Sequence, residues 1–361
     1  MTNPTRTPVD HAAYYLVHAA VTAPSLHNTQ PWRFVHQDGE LQLYTDASRR
    51  LPVADRDGRE LVISCGAALF NVLLAMRHLG FLPHVHAFPD PATPDLLASI
   101  RWGPYARPTT AGEAMYATLL HRHTHRGPFR TDPLPATLID ELREHAHHEN
   151  TDLWPLTRTD ELRRLSALIR AAETRQRDHP AYTAELANWT PPPHSLRRDG
   201  VPADAYPRDP DSTAFAGRDF AAHARMGYGD KEMPPAARRS LGLATVLSTG
   251  CDRRDDWLRA GQGLQRVLLH AAAHHVSAAF HTQPLELPEL REQLRPAAMT
   301  NHYQQVVLRL GYHAHPHPTP RRPVHDVLAH RALLPTPPAR NGAERPSRPA
   351  PSSPVQARGQ T

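Results

Sequence analysis

The chain has 361 residues, of which 40% are hydrophobic, so its length suits two domains and its apolar content suits a sizeable core. The formal net charge is +5, and four arginines against one glutamate after Pro335 contribute much of that excess. The body of the chain is therefore close to neutral, which argues against nucleic-acid binding as its main role.

We predict neither a membrane span nor a secretion signal. The longest apolar stretch, residues 61–76, is interrupted by Ser64 and Asn71 and is short for a span. The first residues lack the charged start, long apolar run and cleavage site of a signal peptide. The two cysteines, Cys65 and Cys251, cannot form a disulfide framework. We therefore expect a cytoplasmic protein with reduced cysteines.

The N-terminal part of the chain predicts two helices, a hairpin and two further strands. The hairpin is marked by Asp38 and Gly39, a favoured two-residue turn between alternating strands. The second helix is expected to stop at Gly80. The predicted elements are helices over 10–23 and 57–80, a hairpin over 33–46 and strands over 84–88 and 96–102.

A second set of helices and strands follows, interrupted by a long proline-rich stretch. Residues 188–211 are too long for an ordinary connection and predict a lid or a binding loop. Beyond Pro335 the chain is rich in proline, arginine and serine, and we expect disorder there. The predicted elements are helices over 136–148, 159–177 and 252–275 and strands over 153–157, 277–282 and 304–312.

An internal repeat relates two distant segments. Residues 66–89 align with residues 261–284 at an offset of 195, and the coincident positions include a glycine, a histidine and a proline as well as leucines and valines. Two helix–strand units with a common apolar pattern would explain the leucines alone. The glycine and proline matches favour two related α+β halves in one chain.

Short polar side chains crowd into the segment APSLHNTQPWRF, residues 23–34. Prolines at both ends limit its backbone freedom, so less entropy is lost when it binds a ligand. Trp32 is expected to pack beneath the segment in the core. The candidate binding residues of this segment are Pro24, Ser25, His27, Asn28 and Gln30.

The segment RHTHRGPF places Arg122, Thr124 and Arg126 at alternate positions, which share a face in an extended backbone. Two guanidinium forks around a hydroxyl suit a phosphate monoester. A solvated basic turn is the alternative for this pattern. Arg321 and Arg322, at the end of the last strand, form a second basic pair.

No other pattern predicts a chemical centre. His270 and His274 share a helix face, but no third ligand at a suitable offset accompanies them, so we assign no metal site. The chain has no dinucleotide-binding glycine motif, no phosphate-binding P-loop and no nucleophile elbow. We assign no side chain a catalytic acid, base or nucleophile role.

Taken together, three motifs resemble the nitroreductase superfamily. APSLHNTQPWRF resembles its flavin-contacting Pro-Ser-x-x-Asn-x-Gln-Pro-Trp segment, RHTHRGPF its phosphate motif, and RLGY…PRRP its C-terminal basic segment. The mid-chain position of the phosphate motif is similar to the Acg family of FMN-binding nitroreductase-like proteins. DGRELVISCGAAL, DGVPADAYP, GRDF and DDWLRAGQGLQRVLL also resemble that family, and the likeness covers about residues 10–332.

The resemblance implies an α+β, nitroreductase-like fold in which two fused halves form an intrachain pseudo-dimer. Ordinary nitroreductases are homodimers that hold FMN between subunits, so a fused pair would complete one FMN site per chain. The implied first half, 1–110, contacts the flavin ring, and the second, 111–334, holds the phosphate and carries a lid at about 188–219. A disordered tail, 335–361, would follow. A monomer is expected, with a homodimer as the alternative.

The resemblance also assigns the site and the activity. The ring would be contacted by the candidates in residues 23–34 and, near its N5 atom, by Thr282 and Gln283; the phosphate would be held by Arg122, Thr124, Arg126, Arg321 and Arg322. The implied activity is hydride or electron transfer through flavin N5 from NADH or NADPH to nitroaromatic or quinone acceptors. The alternative is a non-catalytic protein that sequesters FMN under a closed lid.

Overall fold

The computed structural model describes residues 8–192, 194–202, 205, 215, 217–218, 220, 241–294, 301–313 and 318–330, and the fold is α+β. The predicted tail and much of the predicted lid (residues 193, 203–204, 206–214, 216 and 219) lie outside these residues. The helices are α1 Pro8–Ala20, α2 Arg59–His78, α3 Thr110–Ala117, α4 Ala136–His147, α5 Thr159–Arg177, α6 Pro180–Asn188, α7 Arg254–Ala273, α8 Pro288–Gln293 and α9 Val324–Val327. The strands are β1 Trp32–Gln37, β2 Glu40–Thr45, β3 Phe81–Ala87, β4 Leu96–Tyr105, β5 Asp152–Pro155, β6 Leu243–Thr249, β7 Ser277–Phe280, β8 Tyr303–Gly311 and β9 Leu328–His330.

Two antiparallel sheets share one strand order. The first runs β3-β4-β2-β1 and the second runs β7-β8-β6-β5. If the four strands of each set are counted along the chain, both sheets have the order third, fourth, second, first. In each set a 20-residue helix, α2 or α7, connects the second strand to the third. The C-terminal strand β9 then adds to the first sheet, parallel to β1. The last described strand is thereby paired with the first strand of the fold.

Helices α2 and α7 cross at two glycines that the repeat aligns. A Cβ atom on Gly66 would lie 2.2 Å from the carbonyl oxygen of Leu258, and one on Gly261 would lie 2.0 Å from that of Ile63. Ile63 and Leu258 are themselves 195 residues apart. The contact is therefore reciprocal, and only glycine permits the two backbones to approach so closely.

The hydrophobic core lies between these helices and the sheets. Helix α2 is long and apolar enough to cross a membrane by length and composition, but 83% of its apolar window is buried inside the fold, as in a core helix. Trp32 is fully buried in the same cluster, as predicted. The half-buried side chain of Trp257 packs against both this cluster and that of the second sheet.

The sequence predicted the first hairpin correctly and missed a central strand of the second sheet. Asp38 and Gly39 form the turn with φ of 53° and 76°, the left-handed values that a two-residue hairpin requires. Strand β6, Leu243–Thr249, is buried from its second residue onward. It therefore lacks the alternation of apolar and polar residues that marks a half-exposed strand.

Candidate functional site

The polar segment after α1 is held in a strained loop. His27, Asn28 and Gln30 have φ of 50°, 56° and 51°, a left-handed conformation that is uncommon outside glycine. The hydroxyl of Ser25 accepts a hydrogen bond from the backbone N–H of Gln30 at 2.9 Å. The hydroxyl of Thr29 donates to the carbonyl oxygen of Leu26 at 2.9 Å. These bonds fix the direction in which each side chain of the segment points.

Asn28 and Gln30 join the segment to two distant stretches of chain. Nδ2 of Asn28 donates to the carbonyl oxygens of Gly200, at 2.9 Å, and Pro320, at 3.0 Å. Nε2 of Gln30 donates to the carbonyl oxygen of Arg198 at 2.8 Å. The predicted lid and the C-terminal basic segment therefore meet at this loop.

A cavity with about 950 Å³ of empty space, including its open mouth, lies beside the segment. Its wall combines residues from the part of the chain that forms the first sheet with residues from the part that forms the second sheet. Val201, Arg218 and Phe220, in and next to the predicted lid, also line it. Six of the sequence-predicted residues line it: Pro24, Ser25, His27, Thr124, Arg126 and Thr282.

Three arginines form a cationic cluster at one side of this cavity. Burial and the positive charge of Arg126 lower the pKa of Arg122 to about 10. Burial and the charges of Arg122 and Arg126 lower the pKa of Arg321 to about 9. The Nε atoms of Arg122 and Arg321 are buried and, among the described residues, have no hydrogen-bond partner. Buried, mutually repelling guanidinium groups are strongly favourable for an anion with several oxygen atoms, such as a phosphate monoester.

The other predicted residues do not line the cavity, and several of them hydrogen-bond to neighbouring segments of the chain. One Nη of Arg122 donates to the carbonyl oxygen of Thr22 at 2.9 Å, and one Nη of Arg321 donates to Oδ1 of Asn28 at 3.1 Å. The backbone N–H of Arg322 donates to Oε1 of Gln30 at 2.8 Å. The set that does not line the cavity is Asn28, Gln30, Arg122, Gln283, Arg321 and Arg322.

His27 is a buried imidazole on the cavity wall. Neither ring nitrogen has a hydrogen-bond partner among the described residues. Burial, then the positive charges of Arg218 and Arg126, hold its pKa well below the usual value, so the ring is neutral at pH 7. Phe220 meets the ring edge-on, with 5.2 Å between centroids. A neutral imidazole with both nitrogens available can donate one hydrogen bond to a ligand and accept another.

Glu60 contributes a carboxyl group to the same wall. Its Oε1 accepts a hydrogen bond from Arg59 at 2.7 Å. Burial raises its pKa to about 7; Arg59 opposes the shift, while Glu286 and Asp55 add to it. The group therefore exchanges its proton near neutral pH, in contact with the cavity.

Arg218 and Arg309 are further charged residues of the wall that sequence reasoning did not single out. Arg218 pairs with Glu286 and with the hydroxyl of Tyr182. Burial lowers its pKa, but Glu286 and Tyr182 outweigh burial and the net shift is upward. Arg309 donates from Nε to Nε2 of His281 at 2.8 Å. Arg309 is the one charged residue of a largely apolar strand, and Arg218 belongs to the GRDF segment; these were the available signals.

Comparison with known proteins identifies relatives along most of the chain, although no family model matches. A Mycobacterium tuberculosis protein named "Putative NAD(P)H nitroreductase acg" is 31% identical over 324 residues, covering 88% of this chain and 95% of its own length. A second M. tuberculosis protein with the designation "Putative NAD(P)H nitroreductase" is 34% identical over 314 residues, covering 86% and 88%.

Solved structures align less closely. The FMN-dependent nitroreductase NfnB from Mycobacterium smegmatis, in complex with NADPH, gives a TM-score of 0.33 at 13% identity, covering 55% of this chain and 87% of that one. A TM-score this low carries no argument, so the assignment rests on the sequence relatives. Their identity and coverage show that this chain belongs to the family of nitroreductase-like proteins that includes acg.

Proposed function

We propose that the chain is an FMN-dependent oxidoreductase that binds one FMN and passes hydride or electrons from NADH or NADPH to nitroaromatic or quinone acceptors. Family membership supports an oxidoreductase. The observation that carries the cofactor is the arginine cluster: Arg126 lines the cavity, and Arg122 and Arg321, whose charges interact with it, each have a buried Nε atom without a hydrogen-bond partner among the described residues. A phosphate group supplies the missing acceptors and the missing negative charge.

The two ends of the cofactor are assigned to two halves of the chain. In this proposal the first half, 1–110, contacts the flavin ring and the second, 111–334, holds the phosphate. The shared strand order and the reciprocal glycine contact support a fused pseudo-dimer. The hydrogen bond between Asn28 and Arg321 supports a single site, because it joins a ring-end residue to a phosphate-end residue.

Each residue then has a binding or positioning role. Arg122, Thr124, Arg126 and Arg321 hold the phosphate, and Ser25 and His27 meet the polar edge of the ring. Asn28, Gln30 and Arg322 position these groups through the contacts described above. When bound, FMN supplies hydride or electron transfer at its N5 atom.

The predicted lid has the role of limiting access of water. Val201, Arg218 and Phe220 form part of the cavity wall, and the pairing of Arg218 with Glu286 ties this stretch to the second half. Exclusion of water strengthens electrostatic interactions inside a site and limits side reactions of a reduced cofactor. We propose that the lid opens for donor and acceptor.

The phosphate assignment is tested by removing two charges. Arg122→Ala/Arg126→Ala should lose FMN from the purified protein, because the loss of two charged phosphate contacts costs about 2–5 kcal/mol of binding free energy. The measurement is the flavin absorbance per chain, with a thermal melt to check folding. Arg143→Ala/Arg163→Ala removes two exposed arginines of the same half and should keep the flavin. Equal FMN affinity in both double variants would show that the phosphate lies elsewhere.

Anaerobic mixing of the flavin-loaded chain with NADH or NADPH tests turnover. Bleaching of the flavin within seconds, reversed by a quinone, supports the enzyme. Persistent colour with both donors would support the alternative, in which the chain sequesters FMN.

We also propose a monomer in the cytoplasm. The fused halves would complete the site within one chain, and both cysteines are free, as in a reducing compartment. Light scattering of the flavin-loaded chain distinguishes a monomer from the alternative, a homodimer.

A further inference from the structure

Helices α4 and α7, in the part of the chain that forms the second sheet, bring a carboxylate close to two imidazoles on the protein surface. Oε2 of Glu141, on α4, lies 3.0 Å from Nε2 of His270, in the last turn of α7, and 3.8 Å from Nε2 of His274, the residue that directly follows α7. One ligand atom from each residue lies within 4.8 Å of the other two. None of the three residues lines the cavity described above.

The arrangement has the chemistry of a transition-metal site. Two histidines four residues apart share a helix face, and imidazole and carboxylate are both zinc ligands. Ligands at about 2.0–2.2 Å from a tetrahedral zinc ion stand about 3.3–3.6 Å apart, which is close to the 3.0 and 3.8 Å that separate the Glu141 oxygen from the two imidazole nitrogens. The third ligand comes from a different helix, which is why spacing along α7 did not reveal it.

Neighbouring side chains hold the imidazole of His270 in place. His145, one turn after Glu141 on α4, packs against it with 3.9 Å between ring centroids. Nε of Arg266 donates to Nδ1 of His145 at 3.2 Å, and the Arg266 charge is paired with Glu149 at 2.9 Å. Such contacts around metal ligands fix ring orientation and strengthen binding.

We propose that Glu141, His270 and His274 form a binding site for one divalent transition-metal ion, with Zn²⁺ as the representative ion and water at the fourth position. The ion would join α4 to α7. Because binding requires both helices in their native arrangement, it would stabilise the folded chain by an amount that rises with the logarithm of the free metal concentration above the dissociation constant.

The test uses the full, flavin-loaded chain dialysed with Zn²⁺ and then against metal-free buffer, with bound zinc measured per chain. Wild type should retain one equivalent and melt at a higher temperature with Zn²⁺ than without it. His274→Ala and Glu141→Gln should each weaken binding by at least about tenfold, the lower end of what even an outer contact contributes. Both side chains are partly exposed, so the variants should fold.

The matched controls are His147→Ala and His148→Ala, exposed histidines at the end of α4 that are not among the three ligands. They should retain zinc as wild type does. That result would show that zinc retention depends on the three proposed ligands and not on exposed histidines in general. Two results would overturn the proposal: wild type that retains no zinc, or either ligand variant that retains as much as the controls.

Discussion

The carboxyl group of Glu60 is buried in the cavity wall, although the sequence did not mark it as a candidate site residue. It stands in a helix whose other residues are mostly apolar, next to Arg59, and its neighbours Glu286 and Arg218 come from remote parts of the chain. Six of the twelve predicted site residues line the cavity, and five of those six belong to two contiguous motifs. The sequence could not predict Glu60 as a wall residue, because its surroundings are created only when these remote segments pack together.

Glu60 should make stability depend on pH. Its pKa in the folded chain is about 7, above the ordinary value of 4.5, so the folded state holds the proton more tightly than the unfolded state. This contribution is therefore present at acidic pH and is lost as the pH rises toward and through 7. Glu60→Gln, which mimics the protonated group, should melt close to wild type at pH 5 and above it at pH 8. A constant difference between the two melting temperatures across this range would contradict the assignment.

His27 should contribute to ligand binding without contributing charge. Its burial and the two nearby arginines keep it neutral, so its hydrogen bonds rather than its charge are available to the flavin edge. His27→Phe preserves a ring of similar shape but removes both nitrogens. We expect weaker FMN binding by about 1–3 kcal/mol, measured by fluorescence titration of the apoprotein. Ser195→Ala, a change at a partly exposed residue of the proline-rich stretch that does not line the cavity, serves as the control, and equal affinities in both variants would remove His27 from the site.

At the scale of elements, the five long helices and the first hairpin followed from local patterns, whereas the short helices α3, α6, α8 and α9 and the strand β6 did not. The short helix Pro180–Asn188 begins at a proline and ends where the proline-rich stretch starts, so composition concealed it. The internal repeat was a stronger guide than any single pattern. It aligned the two glycines that the structure brings into contact, although an alignment alone contains no information on whether aligned positions touch.

The crossing of α2 and α7 should tolerate no side chain. Gly261→Ala places a Cβ atom 2.0 Å from a backbone oxygen, which cannot rotate away, so the helices must separate. We expect a loss of about 1–3 kcal/mol in the free energy of unfolding despite the better helix propensity of alanine. Chemical denaturation measures it. Gly250→Ala, where a Cβ atom meets nothing within 4 Å, should be nearly neutral; equal effects would show that the crossing is more loosely packed.

At the scale of the whole molecule, the C-terminal segment completes structures that begin near the N-terminus. Strand β9 extends the first sheet, and Arg321 and Arg322 contact Asn28 and Gln30. The sequence indicated that this segment was basic and followed a strand. It contained no signal for pairing with β1, because three residues are too few to show a strand period.

Truncation separates these contributions. A chain ending at residue 330 retains β9 and both arginines, and we expect it to bind FMN as the full chain does. A chain ending at residue 318 loses the edge strand and Arg321 together, and we expect lower thermal stability and little bound flavin. Flavin content after gel filtration is the measurement. Full flavin content in the shorter chain would exclude a role for the C-terminal segment.

The reciprocal contact around Gly66 and Gly261 joins two segments encoded separately in one polypeptide. In an assembly of identical subunits every amino-acid change is present in each subunit, so a substitution that improves contacts with one end of a ligand also alters the equivalent surface of the other subunit. Here a change occurs once. Arginines can accumulate in one segment while the strained polar loop is kept only in the other. Each surface can therefore evolve without a matching change in the other.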